Sequence, residues 1–260
     1  MSKFKYFILG GNGTLGSALV DILKKKKEKF KIITKKNYNF YKKKKCTIFI
    51  NANGNSSKFL ANQSPQYDFD KSINVVFNSI FDFKFDKYIF ISSADVYENL
   101  NSTSENLIIN NPRNNYGKNK LISELIIRLY CKRWLIFRPS TIISIKAKKG
   151  LLHDLLNSKK VFLNPNSSYS LIRSETIAKI ILGIKKNNEI FNISGNGSVK
   201  IKELKKKLGS ISKFDLNKKN EDYIIETKKI NKLLKKLIPM SRAEIGKIIK
   251  IINFKDYNLK

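Results

Sequence analysis

Apolar residues recur along this chain in two alternating rhythms. Short runs without polar alternation stand at residues 6–9 (YFIL), 31–34 (KIIT), 47–51 (TIFIN), 88–91 (YIFI) and 135–137 (LIF). Such runs predict strands covered on both faces. Between them apolar residues return at helical spacing, first as Leu15, Ala18, Leu19, Ile22 and Leu23, then near residues 72–81 and across 116–130. Strands alternating with helices imply an α/β fold with a doubly wound parallel sheet. Beyond Pro139 the rhythm loosens. Ile177, Ile180, Ile181 and Ile184 predict a helix, residues 190–193 (IFNI) a strand, Ile201, Leu204 and Leu208 a helix, and Ile245, Ile248, Ile249 and Ile252 a terminal helix. The expected division is a sheet domain over residues 1–145 and a small C-terminal α+β region over 146–260. The second region partly returns to the first and is expected over the carboxyl edge of the sheet.

The junction of the first strand and first helix carries the first chemical signal. Gly10, Gly13 and Gly16 form GxxGxxG after the strand and at the opening of the helix. The first glycine permits a tight turn, the second lets backbone approach a pyrophosphate, and the third lets helix and strand pack closely, while free helix amides face the anion. This predicts a Rossmann dinucleotide site.

Tyr116 and Lys120, four residues apart on a predicted helix, share one face. A phenol of ordinary pKa ~10 is a poor base near neutrality, and an adjacent ammonium is expected to lower that value. Ser92 and Ser93 end the fourth predicted strand, on the side where doubly wound sheets bind ligands.

Composition narrows the alternatives. The 260 residues carry 52 Lys plus Arg against 20 Asp plus Glu, a net charge of +32, which by itself suggests nucleic acid or an anionic membrane. Arg occurs only at Arg113, Arg128, Arg133, Arg138, Arg173 and Arg242, whereas a groove built for phosphates would use its bidentate fork more freely. Abundant Lys, Asn and Ile read instead as codon usage in an AT-rich genome. No specific nucleic acid and no membrane partner is therefore expected, although the field should attract anionic ligands. Cys46 and Cys131 lie in no zinc or CxxC pattern and read as buried, reduced side chains; no metal is expected. With His153 the only histidine, acid-base chemistry falls to Tyr, Lys or a carboxylate. Without an apolar run near ~18 residues or a signal architecture, a soluble, cytoplasmic protein is expected.

Several stretches together resemble the extended short-chain dehydrogenase/reductases, the NAD-dependent epimerase/dehydratase family. They are GGNGTLG at 10–16, IFISSADVY at 89–97, YGKNK at 116–120 and FRPS at 137–140, with weaker echoes in SLIRSETIA at 170–178, FNISGNGSVKIKEL at 191–204 and IPMSRAEIGKII at 238–249. The resemblance implies that Ser93 bonds the reacting oxygen, Tyr116 is the acid-base residue, Lys120 tunes it and holds the nicotinamide ribose, and Asn74 helps order a proton-relay water. Asp95 stands where family dehydratases carry a second acid-base carboxylate; an Asp capping the turn after the strand is the alternative reading. Cofactor contacts carry over onto Gly10, Asn12, Gly13, Thr14, Leu15, Gly16, Asn53, Gly54, Tyr116, Lys120, Arg138 and Pro139. The substrate would meet Ser93, Asp95, Tyr116 and Arg173.

The chain also departs from the family pattern. Where a ribose-binding carboxylate is expected for NAD, Thr34, Lys35 and Lys36 stand instead, so the NAD(P) cofactor leans to NADP. The family arginine for a substrate diphosphate would fall at Tyr169, with Arg173 as its substitute. The reading is an NAD(P)-dependent oxidoreductase acting on a nucleotide-activated sugar in carbohydrate biosynthesis, by 4-keto reduction, epimerisation or dehydration. A reductase of a non-nucleotide carbonyl and a non-catalytic dinucleotide-binding regulator are the alternatives, and a homodimer stays open.

Overall fold

A computed structural model describes residues 4–54, 58–100 and 102–257. The chain begins with β1 (Phe4–Leu9), α1 (Thr14–Lys25), β2 (Phe30–Ile33), α2 (Tyr38–Tyr41), β3 (Lys45–Asn51), α3 (Lys58–Gln63) and α4 (Pro65–Phe69). A π-helical turn (Asp70–Asn74) leads into α5 (Val75–Asp82) and β4 (Lys84–Ile91). A 3-10 turn (Ala94–Val96), α6 (Asn115–Tyr130) and β5 (Trp134–Pro139) follow. The remainder runs β6 (Thr141–Ile143), α7 (Leu151–Leu156), β7 (Ser168–Tyr169), β8 (Leu171–Arg173), α8 (Ser174–Gly183), β9 (Glu189–Ile193), β10 (Val199–Lys200), α9 (Ile201–Lys207), β11 (Asp222–Tyr223), α10 (Lys228–Leu234) and α11 (Ser241–Tyr257).

The chain forms two compact units, one reaching to Pro139 and including Ile177–Phe191, the other made of Ser140–Thr176 and the chain from Asn192. The first unit is built on a six-stranded sheet in the order β2-β1-β3-β4-β5-β9, in which every pairing from β2 through β5 is parallel. This is the doubly wound arrangement that the alternation predicted. Strands β2 and β3 leave β1 on opposite sides, so the order reverses there and a crevice opens at the carboxyl ends of β1 and β3.

The unbroken apolar runs form strands because both faces are covered. Phe7, Leu9, Phe49, Tyr88, Phe90 and Ile136 pack on one face with Val76, Ile80 and Ile127 of α5 and α6. On α1, Leu15, Ala18, Leu19 and Leu23 form the buried stripe, and Lys24 and Lys25 end the helix where its dipole favours cations. Most predicted strands run longer than the apolar pattern, because flanking residues such as Lys45 and Lys84 are exposed yet still pair in the ladder.

Cys46 and Cys131 are buried and unbridged, and burial pushes both thiols up to about 12. In the second unit β7 lies between β10 and β11, and Tyr169 stacks on Tyr223 with ring centres 5.3 Å apart. Among the described residues no helix is long and apolar enough to cross a membrane.

Candidate active site

The glycine loop closes on itself between β1 and α1. Gly10 has φ of +81°, a left-handed conformation that favours glycine, and its carbonyl accepts the Gly13 amide at 3.0 Å. A Cβ on Gly16 would stand 2.0 Å from that same carbonyl oxygen, so the loop and helix fit only without one. Gly13 caps α1 with no side-chain hydrogen bond, which leaves the first helix amides available to an anion. Asn12 and Gly13 are exposed, Thr14 is half-buried, and Leu15 and Gly16 face inward. This cradle fits a pyrophosphate group.

The neighbouring loop after β3 is held by a buried polar chain. Asn51 donates its amide to the Tyr88 hydroxyl at 2.8 Å, and that hydroxyl meets Ser79 Oγ at 2.7 Å. The Asn51 carbonyl oxygen accepts the backbone amide of Asn53 at 3.0 Å. Asn51 therefore fixes the loop carrying Asn53 and Gly54, and a Cβ on Gly54 would meet Lys120 Nζ at 2.9 Å.

Ser93, Asp95, Tyr116 and Lys120 come together at the carboxyl end of β4. Lys120, nearly fully buried on α6, donates to the Ile91 carbonyl at 2.9 Å, and its Nζ lies 5.8 Å from the centre of the Tyr116 ring. Ser93 Oγ donates to Asp95 Oδ2 at 3.1 Å and accepts the Asp95 amide at 3.2 Å. The cap of the turn is thus Ser93 and not Asp95, whose second oxygen accepts Asn114 Nδ2 at 3.5 Å. Asn114 in turn caps α6 by accepting the Gly117 amide at 2.8 Å, which ties the helix start to the serine turn.

Electrostatics here reverse one expectation. Burial pushes the Tyr116 phenol up, the Asp95 and Asp68 carboxylates push it further, and only the hydrogen bond with Ser93 opposes them. Lys120 is itself desolvated, lowered to about 8 against the pull of Asp68 and Glu124. The protein alone therefore keeps the phenol protonated. Among the described residues no group of three His, Cys, Asp or Glu side chains could hold a metal ion.

The family model of the NAD dependent epimerase/dehydratase family matches residues 6–154, more than half the chain and all of the cluster just described. The chain belongs to that family. Solved structures agree on the fold of this epimerase/dehydratase-family protein. MoeE5 in complex with UDP-glucuronic acid and NAD is similar with a TM-score of 0.83 at 10% identity, covering 96% of this chain and 99% of its own. UDP-glucuronic acid 4-epimerase from Bacillus cereus, with UDP-glucuronic acid and NAD, gives 0.77 at 19% identity, covering 96% and 100%. UDP-glucose 4-epimerase from Thermotoga maritima, with UDP-glucose, gives 0.72 at 16%, covering 95% and 99%. The curated proteins give no match.

Other residues singled out from the sequence of this family member are placed differently. Asn74 is exposed and donates to Asp70 at 2.7 Å, so it stands outside the buried cluster. The π turn at Asp70–Asn74 changes the helical phase and directs other side chains of the segment inward. Arg138 is committed to the protein: its guanidinium grips the buried Glu124 carboxylate through Nε at 3.0 Å and Nη2 at 2.6 Å, and donates to Tyr97 at 3.1 Å. That network accounts for its position without a cofactor contact. Pro139, beside it, is buried at the end of β5.

Lys35 and Lys36 are exposed after β2, where Asn37 Oδ1 accepts the Thr34 amide at 2.8 Å. Arg173, in the second unit, lies 3.5 Å from buried Glu244 and 3.9 Å from Glu175, and Tyr169 donates to Glu221 at 2.5 Å. Sequence reasoning missed Asp68, Asn119, Asn51 and Glu124. Only Glu124 left a signal, standing four residues after Lys120 on the same helix face.

Proposed function

We propose that this chain is an NAD(P)-dependent enzyme that oxidises or reduces a carbon of a nucleotide-activated sugar, with epimerisation or 4-keto reduction as its net result. The observation that carries this reading is the convergence of Ser93, Tyr116 and Lys120 at the carboxyl end of β4, in a sheet whose switch point carries the glycine cradle. Family membership and the UDP-sugars in the similar structures support it.

A bound nicotinamide cofactor would supply the hydride chemistry. The helix amides after Gly13 would hold its pyrophosphate, and Lys120 Nζ, confined between Ile91 O and Gly54, would hold a ribose hydroxyl. Ser93 Oγ orients the reacting sugar oxygen, and Tyr116 Oη gives or takes its proton. Since the protein alone keeps Tyr116 protonated, the phenol is poised as the acid for a 4-keto group. Asp95 accepts from Ser93 and Asn114, which makes it an orienting group. That engagement favours epimerisation or reduction over dehydration, which would call on a second acid-base carboxylate. Lys35 and Lys36 favour NADP through attraction to a 2′-phosphate.

Mass spectrometry of the cofactor released from purified protein, paired with NADPH and NADH titrations of the emptied protein, tests the proposal. Retained oxidised cofactor indicates epimerisation, and an empty protein preferring NADPH indicates a reductase. A protein that binds neither overturns the reading.

A further inference from the structure

Two buried carboxylates near the Tyr116–Lys120 pair, Asp68 and Glu124, are not used by the proposed chemistry, and of these Asp68 has no arginine partner. It lies on α4, its Oδ2 accepts Asn119 Nδ2 at 2.7 Å, and Ser72 Oγ approaches its Oδ1 at 3.4 Å. Asn119 immediately precedes Lys120 on α6. No cation stands within ion-pair distance of Asp68 among the described residues, so its charge is balanced by hydrogen bonds and by the field of the nearby ammonium alone.

We infer that Asp68 is a positioning residue for the catalytic pair, anchoring α6 through Asn119 and supplying a negative charge, with no ion-pair partner of its own, that holds Lys120 as an ammonium. The inference rests on the reading of Tyr116 and Lys120 as the acid-base pair. The groups facing Lys120 from each packed element support it. From β4 come the Ile91 carbonyl and the Phe90 ring, from the loop after β3 comes Gly54, and from α6 itself come Tyr116 and Glu124. Asp95, after β4, acts on Tyr116. Of the two carboxylates acting on Lys120, Glu124 is already neutralised by the two-pronged grip of Arg138, whereas Asp68 has no such counter-ion. Burial drives Lys120 toward its neutral form, and Asp68 is the first force opposing it. Asp68 is buried on α4, and the π turn that follows buries Ser72 beside it.

The test is the titration of Lys120 in protein labelled with [13C]lysine, followed by NMR, the resonance being identified by its loss in Lys120→Met. Asp68→Asn preserves the shape and the bond from Asn119 while removing the charge. It should move the Lys120 midpoint from about 8 to lower pH by about one unit, the smaller end of what an adjacent opposite charge does. Asp68→Glu should restore much of the shift, and Asp68→Ser replaces the Asn variant if that does not fold. The removal of negative charge also eases ionisation of Tyr116, so the whole pH profile of turnover moves in the acid direction. An unchanged midpoint in a folded, charge-free variant overturns the inference. A shifted midpoint in a protein that binds neither NADH nor NADPH would instead overturn the catalytic reading and leave the electrostatic coupling standing.

Discussion

A Cβ on Gly117 would stand 2.0 Å from the carbonyl oxygen of Asp95, so the first turn of α6 meets the turn after β4 backbone to backbone. Gly117 follows Tyr116, and Asp95 follows Ser93 by two residues. The contact therefore sets the spacing of phenol and serine. In Gly117→Ala one of the two backbones must move. Overpacking of this kind costs about 1–3 kcal/mol, and turnover should fall more than stability does, as thermal melting and steady-state rates on the same sample would reveal. Unaltered turnover would mean the spacing is not critical.

Tyr116→Phe removes the proton donor and leaves the ring in place. Turnover should drop by about 10²–10⁴-fold, the usual contribution of a positioned acid-base group, with cofactor affinity nearly unchanged because the hydroxyl acts on the sugar oxygen. Rate measurements beside NADPH and NADH titrations separate the two effects.

Lys120→Met should stabilise the fold at neutral pH and abolish function. The ammonium is lowered from 10.5 to about 8 by burial, so the folded protein holds a proton less firmly than the unfolded chain does. The sign follows from linkage: below about 8 the wild type bears a buried charge, and its relative stability rises between about 8 and 10.5 as the folded state sheds that proton first. The gain from Lys120→Met should therefore be largest below pH 8 and shrink as pH approaches 10.5, a trend that melting curves taken across that range would display.

Gly54→Ala places a methyl 2.9 Å from the flexible end of Lys120 at a backbone φ of +158°, a conformation that disfavours a side chain, so some loss of stability accompanies the displacement of Lys120. The displaced Nζ loses its bond to the Ile91 carbonyl, so affinity for NADPH and NADH should weaken beyond what the strain-lowered melting temperature accounts for. Titration of the folded variant distinguishes this from a loss of structure.

Glu124→Ala strands a buried guanidinium. Arg138 and Glu124 are 3% and 1% exposed, and removing one partner of such a pair costs about 3–5 kcal/mol. Denaturant unfolding measures that loss directly, and the double variant Glu124→Ala with Arg138→Met should recover part of it.

The first unit was largely legible in the sequence because its signals are local. A strand covered on both faces must be apolar throughout, and the glycine loop must carry glycine where Gly10 turns left-handed and where Gly16 touches the Gly10 carbonyl. The Tyr116–Lys120 pairing follows from helix geometry alone, and Ser93 lies at the predicted strand end.

Tertiary structure decided which polar residues face inward and what charge surrounds them. A regular helical repeat gives no warning of the π turn at Asp70–Asn74, where Ser72 and Ile73 are buried and Asn74 faces solvent, nor of the burial of Asp68 on the helix before it. Arg138 likewise reads as a ligand-binding cation until Glu124, fourteen residues earlier, is seen to occupy it. The phenol's resistance to ionisation depends on burial and on two carboxylates distant in sequence, Asp68 and Asp95. The sequence alone determined the elements and the reactive groups, because both depend on neighbours along the chain. Phase, burial and field depend on neighbours in space, and only the folded chain supplies those.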